Sequence, residues 1–162
     1  MTFLTFFLII QSFNLYEYNL NKNALFKSGR VNEFIEYSKD LRKQYPEETE
    51  IYFGLAEAYL RVDNFSLAAK ILKEVLDLRP DEVIFRRACS LLEDFGRLNE
   101  EIEVYREFRR IKNKDYLYAF EVAHIYERLK NYRAATLELV NMLRFDSLVL
   151  KSPTVHTAIE RI

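Results

Sequence analysis

The sequence predicts an all-α solenoid of about four helix-turn-helix repeats followed by a C-terminal helix. Three observations predict it: a residue pattern recurring every 33 or 34 positions, helical spacing of the apolar residues inside each period, and very little turn chemistry. Only three Gly and three Pro occur in 162 residues. An all-β chain needs a turn signal roughly every 8–12 residues, so that class is excluded.

The period is read from the turn positions. Gly29, Asp63, Gly96 and Lys130 follow one another at spacings of 34, 33 and 34. Four residues before each stands Leu25, Tyr59, Leu92 or Tyr126, and two residues after each stands Val31, Phe65, Leu98 or Tyr132. Twelve after stands Leu41, Val75, Phe108 or Met142. Apolar or aromatic residues fill every one of these positions, and fixed-period self-similarity is the mark of a repeat architecture.

Each period reads as two helices. Tyr52, Leu55, Ala56 and Tyr59 fall at i, i+3, i+4 and i+7, one face of a first helix. After the polar pair Asp63-Asn64, a second stripe runs through Phe65, Ala68, Ala69, Leu72, Val75 and Leu76. Pro80 ends it, having no N–H to continue the ladder. Ala68 is small, which lets the two helices approach closely. The units span about 15–48, 49–81, 82–115 and 116–149. A partial unit, 150–162, opens with Ser152 placed to cap and Pro153 at the first helical position.

Residues 1–14 stand apart. The run Thr2–Ile10 is apolar but shorter than the ~20 residues of a membrane span. It suits the apolar region of an export signal, although no Lys or Arg precedes it. The second reading is an apolar first helix packed on the solenoid, and the third is the end of a fragment. No Cys lies near it, which excludes a lipid-anchored lipoprotein.

Composition narrows the function. A formal charge of −1 and a pI near 6.2 leave no basic footprint for nucleic acid. His124 and His156 are 32 residues apart with no ligand spacing around them, and the single Cys89 supports neither a disulfide nor a thiolate metal site. Cys89, beside Ala88 and Leu92, reads as a small core residue. The three glycines never cluster, so no phosphate-cradling loop exists. The acid-to-base gradient from Glu100 to Lys114 is what a helix dipole favours, with a basic binding patch as the sharper alternative. No catalytic residue, cofactor or metal site is expected.

The pattern resembles the tetratricopeptide repeat family. The match is fullest from Tyr52 to Pro80, through Leu55, Tyr59, Ala68 and Leu72, and Tyr126, Tyr132, Ala135 and Leu139 follow it in the fourth unit. Phe34 and Glu101 depart from it where the family prefers Ala, and Asn21-Lys22 occupies a usually buried pair. The resemblance implies a right-handed superhelix whose first helices line a concave, peptide-binding face. Projected onto this sequence, that groove is expected to hold Tyr16, Asn19, Asn23 and Phe26, then Phe53, Glu57, Leu60 and Arg61. Arg86, Ser90, Glu93, Phe120, His124 and Glu127 complete it. Of these, Tyr16, Phe26, Phe53, Leu60 and Phe120 are expected to face solvent as apolar anchors.

Some family members grip an acidic chaperone tail through Lys and Asn on successive first helices. Asn23 and Arg87 suit such a clamp, but Phe53, Gly54, Val83 and Leu117 stand where polar groups are required. The resulting expectation is a scaffold that binds a protein or peptide partner, resembling exported bacterial members of the family, in an exported or periplasmic setting with a cytoplasmic one as the alternative. A self-associating solenoid forming homo-oligomers, or the N-terminal piece of a larger protein, are the competing readings.

Overall fold

The computed structural model describes residues 12–145. Within them lie eight helices and no strand: α1 (Leu15–Lys27), α2 (Val31–Gln44), α3 (Thr49–Arg61), α4 (Phe65–Leu78), α5 (Glu82–Asp94), α6 (Leu98–Lys112), α7 (Ala119–Arg128) and α8 (Tyr132–Phe145). They pair as α1/α2, α3/α4, α5/α6 and α7/α8. The second helix of each pair packs on the first helix of the next, and α4 also lies along α6. The fold is thus the expected helical solenoid. The expected helix near 153–162 and the apolar run Thr2–Ile10 lie outside the described residues.

The turns inside each pair follow directly from the period. Gly29, Asp63, Gly96 and Lys130 all adopt left-handed backbone, with φ of +72°, +57°, +66° and +58°. The next residue's N–H then reaches back to a carbonyl five positions earlier. Arg30 donates to Leu25, Asn64 to Tyr59, Arg97 to Leu92 and Asn131 to Tyr126, at 2.8–2.9 Å. These bonds satisfy a carbonyl the helix end would otherwise leave open. Glycine adopts this conformation freely and other residues do so at a cost. Lys130→Gly is therefore expected to raise stability by about 0.5–1 kcal/mol, read as a higher thermal midpoint, whereas Gly96→Ala should lower it.

Four of the eight helix starts are set by short polar side chains. Asn14, Asn64, Asp81 and Asn131 accept the backbone N–H of Glu17, Leu67, Ile84 and Ala134. The segment between α6 and α7 is different in kind. Asn113 and Tyr118 both take left-handed φ, +52° and +59°, and α7 does not begin until Ala119. Arg109, only 7% exposed, holds this segment by donating from Nε to the Leu117 carbonyl at 2.8 Å and from Nη1 to Glu138 of α8 at 2.9 Å.

The core runs along the solenoid axis. Leu55, Ala56, Ala68, Leu72, Val75 and Leu76 are buried as the stripe predicts, and Tyr59 with them. Tyr126 is only half-buried, because its hydroxyl turns outward to accept from Arg106 at 2.8 Å. The polar pair of the first unit is accommodated by partners: Asn21 donates to the Tyr37 hydroxyl, and Lys22 to Glu57. Cys89 is buried as expected, and its burial, with the Glu101 charge adding, pushes the thiol up, away from reactivity.

Glu101 is the least expected core residue. It occupies the position that Ala68 and Ala135 hold in their units, and it is 4% exposed. One carboxyl oxygen has no hydrogen-bond partner. Burial pushes its pKa up to about 7, with Glu93 adding and Arg128 opposing.

Candidate functional site

Three successive first helices converge on one cavity of about 280 Å³. Asn19 and Lys22 come from α1, Glu50, Phe53, Gly54 and Glu57 from α3, and Arg87, Ser90, Leu91 and Asp94 from α5. The close approach that forms its floor depends on Gly54. A Cβ at that position would lie 2.1 Å from the Tyr18 hydroxyl and 3.2 Å from the Phe34 ring. Tyr18 is fixed there by its contacts with the Ser38 hydroxyl and the Ile51 carbonyl. Its burial raises the phenol pKa, keeping it neutral.

Ion pairs across the units build the walls. Arg87 makes a two-pronged pair with Glu50, with Nη2 to Oε2 at 2.7 Å, and its guanidinium lies 4.0 Å above the Phe53 ring. The Arg87 hydrogen bonds hold the Glu50 carboxyl below the usual carboxylate range against a partial desolvation, and Lys22 adds to the same direction. Glu57 accepts from Lys22 at 3.1 Å and from Arg61 at 2.9 Å. The cavity therefore presents a preformed pattern of alternating charge, with Asn19, Ser90 and Asp94 as polar groups on its rim.

Of the groove residues expected from the sequence, four meet here: Asn19, Phe53, Glu57 and Ser90. Arg61 borders them through Glu57. Tyr16 is 74% exposed, and Asn23 is also exposed. Phe26 is half-buried, edge-on to Phe34 and beneath the Arg61 guanidinium at 4.5 Å. Arg86 pairs with Glu82 at 2.7 Å and lies over Tyr118, and Glu93 pairs with Arg128 at 2.7 Å. Phe120 is half-buried against a small separate cluster of Ala119, Ala123, Ala135, Leu139 and Met142. His124 is exposed, 3.4 Å from the half-buried Glu127.

Two expectations are corrected. Phe53 and Leu60 do not face solvent; they are 4% and 2% exposed. The reason is the position of α3, flanked by α2 on one side and α4 on the other, so nearly its whole circumference is covered. Arg87 closes over the remaining face of Phe53. These residues are core, and Phe53 contributes the cavity floor rather than a free anchor.

Sequence reasoning missed Lys22, Glu50, Gly54, Leu91 and Asp94 as parts of one site, and weighed Arg87 only for a tail clamp. A lone glycine inside a helical pattern, Gly54, was the signal available, because such a residue often marks a close backbone approach. The ion pairs gave no signal, since their members are 35 and 37 residues apart.

Among the described residues no group of three or more His, Cys, Asp or Glu side chains is placed to hold a metal, and no helix is long and apolar enough to cross a membrane. Residues 49–82 match the family model of the tetratricopeptide repeat. No curated protein matches the chain in sequence. Solved structures of MamA resemble it at 19% identity. MamA AMB-1 aligns over 85% of this chain and 82% of its own, with a TM-score of 0.47, and MamA MSR-1 over 83% and 78%, with a TM-score of 0.45. Similarity at that level bears on neither site nor partner.

Proposed function

Residues 49–82 are a tetratricopeptide repeat within a solenoid of like helical pairs, and from that premise we propose that the chain is a protein-interaction scaffold that takes a peptide segment in the α1/α3/α5 cavity. One observation carries the reading: three consecutive units contribute polar, charged and apolar groups to a single preorganised concavity. A rigid site of this kind reduces the ordering cost of binding. An export or envelope setting is part of the proposal, supported by the apolar run Thr2–Ile10; N-terminal sequencing of the natural protein tests it.

The binding test uses peptides selected from a displayed random library against the intact chain. Ser90 is exposed on the cavity rim, so Ser90→Trp should fill the opening while changing stability by no more than about 0.5 kcal/mol. Affinity for a selected peptide is expected to fall at least tenfold in Ser90→Trp and in Asp94→Ala, with an unchanged urea transition. Peptides that bind both variants as tightly as the parent chain would place recognition elsewhere.

A second reading, self-association, is favoured by a separate observation. Large apolar groups are exposed on both end helices of the described array: Leu15, Tyr16 and Leu20 on α1, and Tyr132, Leu137 and Val140 on α8. Concentration-dependent mass by light scattering, abolished by Tyr16→Glu with Leu20→Glu, would support it.

A further inference from the structure

Glu101 is buried at the position that alanine fills in the second and fourth units. The carboxyl group there has no hydrogen bond for one of its oxygens. Its surroundings supply no dedicated counter-charge. Cys89 and Glu93 face it from α5, and Tyr105 lies one turn on along α6 itself. Arg97, one turn earlier, lies 3.4 Å over Phe65 of α4 rather than pairing with it, and its own Nε is buried without a hydrogen-bond partner. Arg128 of α7 is the nearest cation by effect, but it is bound to Glu93 at 2.7 Å. From α4, which packs along α6, Lys73 and Asp77 are directed to Glu103 and Arg110 instead.

We propose that the α5/α6 pair is a pH-sensitive hinge, in which ionisation of Glu101 drives water or Arg128 into the helix contact and displaces α5. Because α5 supplies Arg87, Ser90, Leu91 and Asp94 to the cavity, that displacement alters the cavity's width. The direction follows from linkage. A carboxyl group favoured in its neutral form by the folded state stabilises that state at low pH. The stability is lost as pH rises from the ordinary carboxylate range through about 7. Over that window the unit's closed population, relative to its open one, should fall by on the order of a hundredfold. The hinge stands independently of what the cavity binds.

Hydrogen exchange of the intact chain between pH 5.5 and 8.5, corrected for intrinsic rates, tests the proposal. Both imidazoles are first removed as His124→Gln and His156→Gln, so that Glu101 is read without histidine titration. Opening of α5 and α6 amides is expected to rise at least tenfold across this range, with α3 and α4 nearly constant. Glu101→Gln should flatten the profile. Glu101→Ala, which restores the residue of the second and fourth units, should flatten it and protect the pair at every pH. The inference is overturned by an unchanged pH profile in either variant, by a flat profile in the parent, or by protection lost uniformly along the solenoid.

Discussion

Phe85→Ala is expected to lower the unfolding free energy by about 3–5 kcal/mol, the range for deleting a buried aromatic ring. Phe85 is 1% exposed and lies at the meeting point of α5, α6 and the segment before α7. Its ring stacks on Phe108 at a centroid distance of 4.2 Å, meets Tyr105 edge-on at 5.0 Å and lies against Tyr118 at 5.0 Å. Such pairs add about 0.5–1.5 kcal/mol each beyond the area they bury. The surrounding rings belong to different elements, so the space left by alanine cannot close by a rotamer change alone. Urea denaturation followed by circular dichroism measures the loss. Val83→Ala, two residues earlier on the same helix but 76% exposed, should change stability by no more than about 0.5 kcal/mol. Equal losses at the two positions would mean that the ring cluster does not hold the third and fourth units together.

Arg109→Ala is expected to cost about 3 kcal/mol, and to act mainly on the last helical pair. The guanidinium ties α6 to the Leu117 carbonyl and to Glu138 of α8. Its removal leaves the carbonyl unbonded and Glu138, itself only 19% exposed, without its counter-charge. Breaking one side of a buried pair costs about 3–5 kcal/mol; the partial exposure of Glu138 puts this case at the lower end. Limited proteolysis should then cut within 113–131 well before it reaches α3 or α4. Arg110→Ala is the matched control. Arg110 is exposed and pairs with exposed Asp77 and half-buried Glu107; an ion pair whose cation stays in solvent contributes about 0–1 kcal/mol. If the two alanine variants unfold alike, Arg109 is not the strut described.

The local features of this chain were legible in its sequence because each depends on residues within a few positions. The 34-residue period located the turn residue inside each of the four pairs, and the same register named the residue whose carbonyl accepts each turn's closing bond. The caps at Asp81 and at the asparagines 14, 64 and 131 are equally local, although the sequence reading did not single them out. The stripe in α4 predicted a buried face because one helix against one neighbour exposes a definite arc. Tertiary structure decided the rest. Phe53 and Leu60 were placed outward by helical projection, yet α3 is covered on both sides by other units, so projection from its own sequence could not set their exposure. The cavity's Glu50–Arg87 and Lys22–Glu57 pairs join residues one repeat apart, and only the stacking of α1, α3 and α5 brings them within hydrogen-bond reach. Glu101 was visible as a departure from its repeat position. Its lack of a paired counter-charge was not, because that depends on every helix around it, with Arg128 bound to Glu93 and Arg97 lying over Phe65.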